Sequence, residues 1–215
     1  MASESGFRVL IAGGGVAGLT LANMLERAGI DYNLLEAHGA IAPPVGASIG
    51  LFPNGLRVLD QLGVYETIRT AWGHHPMSNC VRTPTGEVVY SSPAMGDHLE
   101  RRHGYGFIFI DRQRLLQILY DNLRQKDRVR LNTRVVDVEM TDTEVRVTTS
   151  GKEQIVGHVL VGADGIHSRV RSEMWRIGTM EIPGSFKKDI QTCKCLLLVS
   201  FHCPPANGHK TRHSI

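Results

Sequence analysis

The chain has 215 residues, 42% of them hydrophobic, enough to build a real core in one large domain or two small ones. Its 24 Lys and Arg stand against 21 Asp and Glu, and the resulting charge of +3 is scattered rather than gathered into a stripe, which argues against nucleic acid as a partner. Met1 to Gly6 is polar and lacks the pattern of a secretory signal, and no run approaches the roughly 18 apolar residues that span a bilayer, so the expectation is an intracellular, cytoplasmic chain.

In chain order, Phe7 to Ala12 reads as a short buried strand. Gly13-Gly14-Gly15-Val16-Ala17-Gly18 then opens a helix carrying Leu21, Ala22, Leu25 and Ala28 at helical spacing, and Gly29 ends it. Tyr32 to Leu35 is the next strand and delivers Glu36 at its C-terminal end, so residues 7 to 36 form one βαβ unit. Pro43 to Gly50 is rich in turn formers and reads as a loop feeding a helix near Asn54, with Leu56, Leu59 and Leu62 on one face. Val81 to Tyr90, broken by Thr83-Pro84-Thr85-Gly86, reads as a hairpin, and Phe107 to Ile110 as a strand. Asp111 is placed to cap a helix whose inner face carries Leu115, Leu116, Leu119 and Leu123.

From Val129 to Val161 strands alternate with polar turns, the pattern of a β-meander, and an apolar strand at His158 to Gly162 leads into Ala163-Asp164-Gly165 and the basic Arg169 and Arg171. After Trp175 the sequence changes character; a strand is expected at Cys195 to Phe201 and disorder over the last ten or so residues. The four cysteines include a close set, Cys193, Cys195 and Cys203, with His202 beside them. Tetrahedral zinc sites pair ligands as C-x2-4-C, whereas the C-x-C here runs on into Leu196-Leu197-Leu198-Val199, so reduced thiols and no metal are the reading.

The chemistry starts at Gly13-x-Gly15-x-x-Gly18, between a strand and a helix. One glycine makes the tight turn, the next lets backbone N–H groups approach a pyrophosphate, and the third lets helix and strand pack closely. The helix N-terminus adds about half a positive charge, and no carboxylate in its first turn competes for it. Glu36 stands at the end of the second strand, where a carboxylate accepts hydrogen bonds from ribose hydroxyls and disfavours a 2′-phosphate. Strand, helix, glycines and Glu36 in register indicate an adenine dinucleotide, without separating FAD from NAD.

The run Val9 to Leu19, with Ala28-Gly29-Ile30 and Leu34-Leu35-Glu36, resembles the opening of the group A FAD-dependent monooxygenases, the para-hydroxybenzoate-hydroxylase-like family. Gly46 to Gly55 is closer still to its fungal, paxilline-pathway-type branch, which oxidises prenylated indoles and meroterpenoids. The resemblance runs from about Phe7 to Arg171. It implies that Arg112, in Asp111-Arg112-Gln113-Arg114-Leu115-Leu116, contacts FAD. Likewise Asp164-Gly165 matches a motif for FAD and NAD(P)H, and Gly50 lies beside the flavin. His167 reads as an exposed loop histidine rather than an acid or base, His74 and His75 earn no more, and no catalytic side chain is named.

The expected fold is α/β: a doubly wound, mainly parallel, Rossmann-like sheet with an antiparallel β layer. The FAD-binding part is expected at residues 7 to 75 and 105 to 175, a partial substrate-domain hairpin at 76 to 104, and a divergent segment at 176 to 215. The resemblance implies an oxidoreductase of secondary metabolism that uses FAD, NAD(P)H and O2 on a small prenylated or aromatic substrate. Complete members are much longer and carry a later Gly-Asp motif that this sequence lacks, so the expectation is an incomplete enzyme. The alternatives are a non-catalytic flavin-binding product and an NAD-dependent dehydrogenase.

Overall fold

The computed structural model describes residues 6–43, 48–73 and 79–181. The expected strand at Cys195 to Phe201, the disordered tail, the cysteine cluster near His202, and His74 and His75 lie outside the described residues.

Strand β1 (Arg8–Ala12), helix α1 (Val16–Ala28) and strand β2 (Asp31–Leu35) form the expected βαβ unit, with β1 and β2 parallel and Ile11 opposite Leu34. Helix α1 stops where Gly29 takes a left-handed conformation (φ 69°); the Ile30 N–H then donates to Leu25 O, which satisfies a carbonyl the helix would otherwise leave open. Next come β3 (Ser48–Leu51), α2 (Pro53–Gln61) and α3 (Tyr65–Trp72). Ser48 to Gly50 is thus an edge strand and not loop; it gains its order from antiparallel pairing with a strand some sixty residues later, which turn-forming composition cannot show. Pro53 stands at the first helical position of α2, where a missing N–H costs nothing, and Leu56, Leu59 and Leu62 are buried as expected.

The hairpin is β4 (Asn79–Arg82) and β5 (Val88–Ser92). It is followed by an unanticipated helix, α4 (Met95–His103), then β6 (Ile108–Asp111) and α5 (Arg112–Asp121). Asp111 stands at the N-cap of α5 but its side chain does not cap it; Oδ1 instead accepts the Ser48 hydroxyl across the β3–β6 pair at 3.0 Å.

The stretch read as a meander divides three ways. β7 (Val129–Arg130) joins the parallel sheet beside β2; β8 (Val135–Met140), β9 (Val145–Thr149) and β10 (Gln154–Gly157) form the antiparallel layer; and β11 (Val159–Gly162) returns to the parallel sheet beside β1. The parallel sheet has the order β11-β1-β2-β7. Helix α6 (Arg169–Glu181) ends the described chain and runs past Trp175.

Alternation along β1 shows why both faces of this sheet must be covered. Val9 and Ile11 enter a core with Leu19, Ala22, Leu115 and Leu119 from α1 and α5, while Leu10 and Ala12 enter a second core with Val138, Val147 and Ile155 of the antiparallel layer and Val170 of α6. Burial of each large aliphatic side chain contributes about 1.5–3 kcal/mol. The parallel sheet is held between these two layers, with its carboxyl edge left to build a site.

Candidate functional site

At the carboxyl ends of β1, β2 and β11 the chain leaves a cleft of about 420 Å3, within the usual size of small-molecule sites, roughly 300–1,000 Å3. It is lined by Gly13, Gly14 and Gly15 after β1, by Leu35, Glu36 and His38 after β2, by Asp164 and Gly165 after β11, and by Arg112, Thr133, Arg134 and Val135.

Each motif glycine has a separate reason. Gly13 has φ +104°, and a Cβ there would lie 2.4 Å from Ala163 O, so backbone strain and space both demand glycine. At Gly18 a Cβ would come within 1.9 Å of Gly13 O, the close helix-to-turn packing expected of the third glycine. Gly15 differs: the nearest atom to a built Cβ is Arg112 Nη2 at 3.8 Å, so its small size leaves open space on the cleft rather than relieving a clash within the protein. The first N–H groups of α1 have no intrahelical partner and no acidic residue in the first turn answers them.

Glu36 is buried, at 8% exposure, and its carboxylate is held by three donors. Oε2 accepts the Gly14 N–H at 2.5 Å, and Oε1 accepts the His38 N–H and meets His38 Nδ1, each at 2.7 Å. Burial pushes this carboxyl up, but the N–H groups of His38 and Gly14 and the His38 ring outweigh it and hold Glu36 below the usual carboxylate range. Glu36 is therefore ionised, an acceptor only. The backbone fixes its place: the Glu36 N–H donates to Arg130 O and the Thr133 N–H to Glu36 O, so the link between β7 and β8 is tied against the end of β2.

Arg112 begins α5, half-buried, with its guanidinium beside Gly15 and with no carboxylate or other partner among the described residues. A partly buried cation without a counter-charge, beside a helix N-terminus, suits a diphosphate. Asp164 has a second task that its sequence context did not disclose. Oδ2 accepts the N–H of Arg169 at 2.7 Å and of Val170 at 3.2 Å, and Oδ1 accepts the Ser168 hydroxyl at 2.6 Å, so Asp164 closes the first turn of α6 while lining the cleft. Gly165 follows with φ +80°.

Of the sequence-selected residues, Gly13, Gly15, Glu36, Arg112, Asp164 and Gly165 line one cleft; Gly18 packs behind it, and Gly50 lies in β3, where a Cβ would stand 2.8 Å from the Phe107 ring. His167 is exposed at the rim. His38, Thr133 and Arg134 also reach the cleft without having been singled out, and Arg169, noted in the sequence only as part of a basic stretch, reaches it as well. His38 stands two residues after Glu36 and Arg169 five after Asp164, so both were findable by adjacency; Thr133 and Arg134 arrive through tertiary structure. Among the described residues no cluster of His, Cys, Asp and Glu is arranged to hold a metal, and no helix is long and apolar enough to cross a membrane. Cys80 is exposed and free.

A glycine-lined cleft with a buried carboxylate, at the carboxyl edge of a parallel sheet, defines a dinucleotide-binding α/β protein. Residues 7–188 match the FAD binding domain family, and the chain belongs to it. Its cofactor is accordingly FAD rather than a nicotinamide dinucleotide. The chain is 49% identical over 174 residues to the FAD-dependent monooxygenase pyr5 of Aspergillus fumigatus, covering 80% of this chain and 36% of that protein. It is 45% identical over 184 residues to the FAD-dependent monooxygenase ptmM of Penicillium ochrochloron, covering 85% of this chain and 42% of that one. Among solved structures, Klebsiella pneumoniae HpxO complexed with FAD and uric acid superposes with a TM-score of 0.67 at 25% identity, over 79% of this chain and 42% of that one. The chain thus spans well under half the length of these relatives.

Proposed function

We propose that this chain is the FAD-binding portion of a flavin-dependent monooxygenase of secondary metabolism. NAD(P)H supplies two electrons, one atom of O2 enters a small prenylated or aromatic substrate, and the other leaves as water. FAD carries that chemistry; the residues of this chain bind and orient it. The observation that most supports the reading is the Arg112 guanidinium beside Gly15, without a partner among the described residues, in the same cleft as Glu36.

In this assignment the N–H groups of the first turn of α1, with Arg112, take the pyrophosphate, Gly18 keeps the helix close, and Glu36 takes the adenosine ribose. Asp164 and Gly165 border the cofactor beyond the pyrophosphate, and Gly50 lies beside the flavin ring. Residues 7 to 75 and 105 to 175 form the FAD-binding part, residues 76 to 104 belong to the substrate side, and 176 to 215 form a divergent segment.

The test is to purify the chain, release any bound small molecule by denaturation, and identify it by mass spectrometry. FAD is expected; NAD in its place would support a dehydrogenase and contradict the proposal. Because the chain spans well under half of its relatives, the 215 residues supplied with FAD, NAD(P)H, oxygen and prenylated substrates are expected to give no oxygenated product. Steady product formation would show that the fragment suffices.

A further inference from the structure

The carboxylate of Glu36 has about four acceptor positions, two on each oxygen. Oε1 is filled twice by one residue, by the His38 N–H and by Nδ1, which must be a donor because an ionised carboxylate can only accept. Oε2 holds the Gly14 N–H and keeps one position open. A ribose presents two adjacent hydroxyls, so a site with one open position can take one of them and must release a donor to take the other. Two of the three donors are backbone groups fixed in the turns after β1 and β2. Only the His38 ring can leave by rotating, and its side chain is 67% exposed against 11% for Glu36.

We infer that His38 competes with the second ribose hydroxyl for Glu36 Oε1, and that this competition sets how strongly the site distinguishes ribose from deoxyribose. The inference rests on the reading of this cleft as the adenosine end of an FAD site. While His38 is present, the second hydroxyl gains one bond to Glu36 only as the ring gives up another, and the exchange is close to neutral. Without the ring, the same hydroxyl meets an open acceptor position on an ionised, buried oxygen. His38 is thus a positioning residue acting through Glu36. An exposed ring of this kind adds little to folding, so its removal should leave the protein intact.

The experiment uses the full 215-residue chain and three forms: wild type, His38→Ala and His38→Asn. Each is loaded with FAD, whose fluorescence reports binding, and the FAD is displaced by ADP or by 2′-deoxy-ADP. The wild type should bind the two nucleotides within about threefold of each other, whereas His38→Ala should prefer ADP by about tenfold or more, the size of one charge-assisted hydrogen bond. His38→Asn, which restores a donor nitrogen at nearly the same reach, should return the ratio toward the wild-type value. A purely structural role would move both nucleotides equally, and an unchanged ratio across the three forms would overturn the inference while leaving the FAD assignment standing. Failure of the wild type to bind FAD at all would overturn both.

Discussion

Three donors converge on Glu36, and together they more than offset the burial that would raise its pKa. A carboxyl whose pKa is depressed by folding stabilises the native state above its unfolded value, about 4.3 for Glu, and that stability is lost as pH falls through the lower native value. Urea midpoints measured at several pH values should therefore favour the wild type over Glu36→Gln at neutral pH and draw together below about pH 4. Parallel curves would contradict the depressed pKa. If Glu36 also binds the ribose through charge-assisted bonds of about 1.5–3 kcal/mol, Glu36→Ala should weaken FAD at least roughly tenfold in a fluorescence titration. Glu36 was legible because the strand before it and the glycine turn both have local signatures. Thr133 and Arg134 were not: they reach the cleft only because the Thr133 N–H is bonded to Glu36 O, a pairing across nearly a hundred residues that no local pattern encodes.

Between elements, the hydrogen bonds that matter most are few and buried. Asn23 of α1, 2% exposed, donates from Nδ2 to Leu19 O in its own helix and to Leu119 O near the end of α5, and its Oδ1 accepts from Asn122. Leu119 O lies in the last turn of α5, where carbonyls lack helical partners, so Asn23 both caps α5 and locks it to α1. Replacing Asn23 by Leu leaves that buried carbonyl unsatisfied and is expected to cost about 1–3 kcal/mol, read as a lower urea midpoint with little change in slope; a cost within experimental error would show that the contact adds nothing. On the far side, buried Glu173 of α6 pairs with Arg169 and Arg176, and Arg176 reaches Val138 O of β8. Helix α4 buries no residue and so shows no apolar stripe of helical period, whereas α6 carries Val170, Met174 and Ile177 at helical spacing but buries only Val170 of the three. Helix α1, with Leu19, Ala22 and Leu25 buried at that period and glycines at both ends, was readable as an element, although Ala28, read at the same spacing, is exposed.

At the scale of the molecule, the helices on one face and the antiparallel layer on the other clamp a parallel sheet whose carboxyl edge holds the cleft. The α/β class and the antiparallel layer were legible from alternating patterns. The division of residues 129 to 161 between two sheets was not, because β7 is only Val129–Arg130 and the partners of β7 and β11, β2 and β1, lie far away in sequence. The central claim is that this edge takes the adenosine and pyrophosphate of FAD, and Gly15 tests it most directly. A Cβ there meets no protein atom closer than Arg112 Nη2 at 3.8 Å, the far end of a flexible side chain, so the fold should accept a substitution, while a pyrophosphate approaching the backbone should not. FAD titrated into the wild type and Gly15→Val, followed by flavin fluorescence with circular dichroism as the control for folding, should show binding to the wild type and none to an equally folded variant. Equal affinity in the two proteins would mean that the glycine turn is structural and that the cleft does not hold the cofactor's pyrophosphate.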